Sequence, residues 1–419
     1  MNRLVELYLQ KKSDNNGWER EINGISNNEK ANLLMGQHAF KELLSDVEHR
    51  DLLNSMIGLK GYCLFAPAEV KMGVDLFRDS LYALLKRNEF CNIRFENLLD
   101  TLEMISDSDI RVGISGWDRP MPLPFYTIGQ PEVTKVTNKN QENFVLKQIV
   151  SNNSDYDGII QLDIQVGGYG PNIDPRTNRK VPLAAHQTKL LISVWEDAPR
   201  QVNVNTLISG NLPNILNLPV VNIREEREKI VNTEGDFIIS DFSSEVEGEV
   251  IVDNEDSLFF LSEPAVVGLL PKWLDKVEDT SFKYAGVSPW RAPLQWTATT
   301  NAAYYGLYIR SAYVIKSGNG SQTATWKVPV PSVGQYDVYY YVSKDNELKY
   351  NRQAGGEYHF KIEYDEENED VYLNLKKANE GWESIGAYYF SSDTIKITLT
   401  NECKLRSVVA DAVKIVKRY

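Results

Sequence analysis

The sequence predicts an α+β multidomain protein: a helical N-terminal region, a central irregular β domain and a C-terminal antiparallel β-sandwich. Three observations carry this reading. Apolar residues recur at helical spacing as far as about residue 110. A loop follows in which Pro120, Pro122 and Pro124 forbid a helix or a central strand. From Ser311 to the end, short runs rich in Val, Ile, Tyr and Phe are cut by polar turns, the pattern of a small sandwich. A chain of 419 residues exceeds one ordinary domain. The expected division is a helical region at 1–110, a β-rich domain at 111–255, a connecting segment at 256–288 and the sandwich at 289–419.

Taken in order, Leu4, Leu7 and Tyr8 begin a helix that 11–17 interrupts. A second helix is expected over 27–44 (Leu33, Leu34, Phe40, Leu43, Leu44) and a third over 46–58 (Val47, Leu52, Leu53, Met56, Ile57). Val74, Leu76, Phe77, Leu81, Leu84 and Leu85 make an amphipathic fourth, and Phe95, Leu98, Leu99, Leu102 and Ile105 a fifth. These stripes read as the core of a bundle or cap, not as a cofactor pocket. Residues 159–166 alternate apolar and polar as a half-buried strand does, and Gly167, Gly168 and Gly170 end it. An exposed turn is expected over 174–180, with strands at 190–195, 202–207, 237–239 and 249–252. Residues 256–310 are less regular, with a short helix expected over 265–270 behind Pro264.

Charge excludes several partner classes. The net charge is −13 with a pI near 5.0. Such a surface repels phosphate backbones and anionic lipid, so nucleic acid is not expected as a partner. No run approaches the ~18 apolar residues of a membrane-spanning helix, so no membrane insertion is expected. Glu6 interrupts the first apolar run and no small-residue cleavage site follows, so no signal peptide is visible. A C-terminal piece of a longer exported protein would look the same.

Chemistry-bearing motifs are sparse. Cys63, Cys91 and Cys403 form no CxxC pair and indicate neither a disulfide framework nor a zinc site. The four histidines, His38, His49, His186 and His359, lie in no HExxH, and no GxSxG supplies a nucleophile. The glycine-rich stretches around Gly168 and Gly318 read as turns, because no helix with Lys-Ser or Lys-Thr follows either. With 58 acids, a glycosidase carboxylate pair cannot be picked by eye. No catalytic residue is therefore assigned, and the reading leans away from an enzyme. The run 153–158 begins like a calcium loop, but its twelfth position is Ile164 instead of Glu. Asp365, Glu367 and Glu369 are weak calcium candidates, and a solvated hairpin tip accounts for the same acidic run without metal. No other cofactor is indicated.

The aromatics are the most informative set. Exposed Trp and Tyr rings stack on the CH faces of sugars, while neighbouring polar groups bind hydroxyls. Successive strand side chains face opposite ways, so Tyr339 and Tyr341 share one face and Tyr340 takes the other. The glycan-binding candidates are Trp290, Trp296, Tyr304, Tyr305, Tyr308, Tyr339, Tyr341 and Trp382.

A family pattern runs through these residues. Ser311-Ala312-Tyr313, Ser317-Gly318-Asn319-Gly320, Ala324-Thr325-Trp326, Pro329-Val330-Pro331 and Gly334-Gln335-Tyr336-Asp337-Val338-Tyr339 occur in order, followed by Gly381-Trp382 and by Val408 to Lys414. Residues 290–419 thereby resemble the golvesin / xanthan-lyase C-terminal domain. The resemblance implies a jelly-roll-like sandwich, similar to carbohydrate-binding modules and usually appended to larger secreted or bacterial surface proteins. It supplies no catalytic residue. The expected function is a noncatalytic surface or extracellular protein whose sandwich binds polysaccharide or another cell-surface component, or serves as an attachment platform. The alternatives are a polysaccharide lyase or hydrolase with its active site in 110–290, and a structural fragment of a larger secreted protein.

Overall fold

The computed structural model describes Tyr8, Arg20 and residues 23–88, 94–107, 109, 111, 116–138, 141–167, 174–227, 234–240, 248–263, 282–287, 291–343 and 356–418. Cys91, Trp290 and the helix expected over 265–270 lie outside the described residues. The fold is α+β; the helices whose bounds lie in the described residues fall between 27 and 106, and mostly antiparallel strands follow. The chain divides into two compact units. One comprises Met1–Asp14 and Asn27–Phe242, the other Asn15–Ser26 and Ser243–Tyr419.

In the first unit the helices are α1 (Asn27–Gln37), α2 (Phe40–Leu43), α3 (Leu53–Met72), α4 (Val74–Arg87) and α5 (Phe95–Ser106). The single helix expected over 27–44 is two. Ala39 is extended (φ −67°, ψ 140°) and bridges Pro120, while the Phe40 amide donates to the Gly116 carbonyl at 3.1 Å. The proline loop thus captures backbone groups the helix would have used. The helix expected to end at residue 58 instead runs to Met72, through Gly58, Gly61 and Pro67. Burial of Leu64, Phe65, Ala66 and Ala68 outweighs the low propensity of those residues. Gly73, at φ 82°, then stops it. Leu64, Phe65, Phe77, Leu81, Leu98, Leu99 and Leu102 form the helical core.

The strands of this unit are β1 (Tyr126–Ile128), β2 (Glu132–Asn138), β3 (Gln141–Asn152), β4 (Gly158–Val166), β5 (Asn178–Leu183), β6 (Thr188–Trp195), β7 (Pro199–Asn205), β8 (Ile215–Pro219), β9 (Ile223–Arg227) and β10 (Gly235–Ile239). They make two sheets, ordered β10-β6-β3-β2-β9 (with β1 also on β3) and β5-β4-β7-β8. Only β2–β9 pairs in parallel among the described strands. The turn expected over 174–180 is shorter than that. A single 3-10 turn, Pro175–Thr177, leads directly into β5. Its polar start is a strand because Lys180 is nearly buried, ion-paired with Glu69 on α3 and set over the Tyr8 and Tyr62 rings.

The second unit contains β11 (Glu249–Val252), β12 (Phe259–Leu261), β13 (Thr297–Thr300), β14 (Ser311–Lys316), β15 (Thr323–Pro329), β16 (Gly334–Val342), β17 (Glu357–Tyr364), β18 (Glu367–Asn374), β19 (Gly381–Phe390), β20 (Thr394–Thr400), β21 (Ser407–Ala410) and β22 (Val413–Lys417). Two antiparallel sheets, β11-β22-β16-β19 and β12-β15-β20-β17-β18, share one core, and β13-β14-β21 forms a third small sheet. The chain segment 249–261 therefore supplies one strand to each large sheet. Strand β16 shows why the sequence folds this way. Tyr336, Val338, Tyr340 and Val342 are each at most 2% exposed, and the residues between them are not buried. Burying each such side chain contributes roughly 1.5–3 kcal/mol. Polar tips inside the core are satisfied: Tyr340 Oη donates to Val409 O at 2.6 Å and Trp326 Nε1 to Asp411 O at 3.3 Å. The early segment is tied in as well. Arg20 Nη2 donates to Thr300 Oγ1 at 2.7 Å, and that hydroxyl donates to Gly24 O at 2.6 Å.

Candidate functional site

Two aromatic surfaces arise in the second unit. The first is on the outer face of β11-β22-β16-β19. Tyr340 points into the core, so Tyr339 and Tyr341 point out. Strand register sets Lys414 opposite Tyr339 and Trp382 opposite Tyr341. The β13–β14 loop adds Tyr305. Its ring lies 5.4 Å from Tyr341 and 5.0 Å from Trp382, and Tyr341 meets Trp382 edge-on at 5.2 Å. Lys414 Nζ sits 4.8 Å from the Trp382 ring centre and 5.4 Å from that of Tyr339, and it pairs with Glu249.

One buried acid anchors this cluster. Both carboxylate oxygens of Asp411 accept the Tyr305 amide, at 3.2 and 3.3 Å. Asp411 is fully buried, and burial, with Asp253 as a neighbouring charge, pushes its carboxyl well above the usual range. Asp253 is itself pushed up to about 8, mainly by burial. The Tyr305 phenol rises to about 12 through burial and then the charges of Asp253, Glu249 and Asp256. The rings here contact one another and a lysine, and present little free ring face.

The second surface is a groove of about 490 Å³ between β18 and β19, the edge strands of the two large sheets among the described strands. Tyr364 and Tyr388 line it, with Tyr372 and Tyr389 each 58% exposed and Glu369 and Asp370 beside them. Tyr372 is held flat against His359, with ring centres 4.7 Å apart and planes at 7°. His359 is in turn fixed by Asp370 (2.7 Å from Nε2) and by Thr400 and Glu402 (3.2 and 3.3 Å from Nδ1). One face of Tyr372 is thus supported and the rest of the ring meets solvent.

Local backbone features shape the groove. A register shift between Val338 and Tyr339 marks a bulge where β19 passes Gly386. Gly386 has φ 149°, and a Cβ there would sit 2.4 Å from Tyr388 Oη. Only glycine lets the Tyr388 ring lie against its own strand. Below it Tyr388 packs on Tyr364 at 5.2 Å and on Phe390 at 6.0 Å, continuing the groove floor into the core.

The remaining sequence candidates fall elsewhere. Trp296 is half-buried and packs on the sandwich core. Tyr304 is 3% exposed, a core residue of the small sheet, so its ring is closed to a ligand. Tyr308 is half-buried. Asp365 and Glu366, at φ 46° and 69°, form the two-residue turn between β17 and β18. The Asp365 carboxylate accepts the amides of Ser391 and Ser392 at 2.7 and 2.6 Å, and these bonds hold its pKa below the usual value. It ties two turns together instead of facing Glu367 and Glu369. Among the described residues no three His, Cys, Asp or Glu side chains are grouped to hold a metal ion. In the first unit a shallower hollow of about 350 Å³ is bordered by Glu103, Asp107, Asp109 and Arg111, and Arg111 bonds Glu96, Asp100 and Glu103 there. No described helix is long and apolar enough to cross a membrane.

The candidate set thus brings together Tyr305, Tyr339, Tyr341 and Trp382, and omits the groove tyrosines. Tyr388 and Tyr389 were visible as an aromatic pair on a strand. Tyr372 carried no signal, because its value depends on His359 across the β17–β18 register.

Residues 289–417 match the Golvesin C-terminal domain, so the recognised pattern falls within the sandwich, whose strands β11 and β12 come before it in the chain. No curated protein matches the chain. Among solved structures, a Paenibacillus xanthan lyase is similar at 17% identity and a TM-score of 0.29, over 72% of this chain and 27% of that one. A Bacteroides uniformis β-glucuronidase follows at 12% identity and 0.21, over 74% and 32%. Legionella pneumophila aminopeptidase A aligns at 13% and 0.22, over 43% and 19%. The chain spans about a quarter of the xanthan lyase's length.

Proposed function

We propose that this protein is a noncatalytic glycan-binding protein and that its golvesin-type sandwich binds sugar in the β18–β19 groove. The observation that carries the reading is Tyr372: a ring stacked on His359 on one side, largely exposed on the other, at the rim of a groove of about 490 Å³. That volume suits a mono- or disaccharide unit. Tyr389, also exposed, borders the groove from the other sheet, and the carboxylates of Glu369 and Asp370 can accept hydroxyl protons. An aromatic contact of this kind contributes about 1 kcal/mol per ring. The Golvesin C-terminal domain match supports the same reading, and with it an exported or cell-surface setting.

The test is retention of the full chain in native gels containing soluble polysaccharides. Wild type is expected to be retarded by at least one polymer, and Tyr372→Ala and Tyr389→Ala to migrate freely while unfolding at the wild-type temperature. Retardation undiminished in both variants removes the groove from consideration. Release of reducing ends or unsaturated sugars during incubation favours the lyase or hydrolase alternative.

A further inference from the structure

We infer that the β18–β19 groove selects neutral or amino sugars and rejects polyuronates and sulfated glycans. This rests on the glycan-binding reading and adds the class of ligand. The groove's side-chain charges are Glu369 and Asp370, and no Lys or Arg stands among its described lining residues. Asp370 is partly engaged, bonded to His359 Nε2 at 2.7 Å and set opposite Lys361 in the strand register. Glu369 has its side chain exposed, on the same face of β18 as Glu367.

The negative field is felt inside the groove. Burial raises the Tyr388 phenol to about 12, and the Glu369 charge adds to that rise. Tyr364 is raised too, by burial first and then by its bond to Glu367 and the charges of Glu367, Glu369 and Asp365. Only the part of each rise that comes from Glu367, Glu369 and Asp365 is charge, and that part also opposes an incoming carboxylate or sulfate. A hydroxyl instead donates to the carboxylates, and an ammonium pairs with them. The net charge of −13 strengthens the bias at long range, within a Debye length of about 8–10 Å.

The experiment measures binding of the full chain to galactomannan, chitosan oligosaccharide and alginate at one fixed ionic strength, by calorimetry. Two single-charge variants separate local from bulk charge: Glu369→Gln in the groove, and Glu132→Gln at an exposed position of β2 in the other unit. Alginate is expected to bind about tenfold more weakly than galactomannan, and Glu369→Gln to close that gap by roughly threefold. Glu132→Gln is expected to leave it unchanged. Equal affinity of the wild type for alginate and galactomannan overturns the selectivity and leaves glycan binding standing. An equal effect of the two variants also overturns it, because bulk charge then does the selecting. Binding of none of the three polymers removes the glycan-binding reading and the selectivity together.

Discussion

Tyr305, Tyr341 and Trp382 on the outer sheet face, and Tyr372 and Tyr389 at the sandwich edge, are the same residue types in two settings. On the face, three rings contact each other at 5.0–5.4 Å and Lys414 covers Trp382. At the edge, one ring leans on His359 and leaves 58% of the residue exposed. The face rings are packed on one another, and the edge rings stand open to solvent. Packing partners decide which, because a ring whose face is covered has no surface left for a sugar.

The largest expected contrast is in pH. The face stands over the fully buried Asp411 and the partly buried Asp253, whose carboxyls are raised by loss of hydration, Asp253 to about 8. A raised carboxyl favours folding in its neutral form. Its contribution is complete below the unfolded value of about 3.9 and is lost as pH rises through the folded value. Asp365, near the edge, is lowered by the Ser391 and Ser392 amides and acts oppositely, contributing above about 3.9 and losing that as pH falls. Chemical denaturation across pH is expected to show stability declining between mildly acidic pH and pH 9, with Asp411→Asn flattening the alkaline loss. A wild-type profile rising through pH 8 contradicts the buried-acid account.

Next in size is Trp382→Ala, expected to lower stability by about 2–3 kcal/mol while leaving polysaccharide affinity intact in the folded protein. Lost affinity at full stability would move the binding surface to the face. Gly386→Ala is expected to lower stability by about 2 kcal/mol through its strained φ and its clash with Tyr388, and to weaken binding as well. A neutral outcome shows that the bulge does not shape the groove. Tyr372→Ala is the smallest: about tenfold in affinity, with unfolding changed by at most about 0.5 kcal/mol. A loss of stability without loss of binding would make Tyr372 a structural ring.

Much of the second unit was legible in residue order. The period-two pattern of β16 placed Tyr340 opposite in sense to Tyr339 and Tyr341, and the golvesin pattern fell on the observed sandwich. The helices at 74–87 and 95–106 were equally clear, because a one-sided apolar stripe is a local signal. Less legible were α3 running through Pro67, the split at Ala39 and the strand start at Asn178. In each, a distant partner supplies energy that local propensity lacks: core burial, the Gly116–Pro120 loop, and Glu69.

By itself, then, the sequence determined the class of fold, the identity of the C-terminal module and the alternation that sorts its aromatics into two faces, since these depend on period and composition along the chain. Only the tertiary structure decided which aromatics are covered. Tyr304 and Tyr372 look alike in sequence, yet one is 3% exposed and the other 58%. The difference comes from residues on other strands: Val409 in the small-sheet core around Tyr304, and His359 across the β17–β18 hairpin beside Tyr372, on a strand that is an edge among the described strands. Burial is a property of contacts between segments, and no single segment carries it.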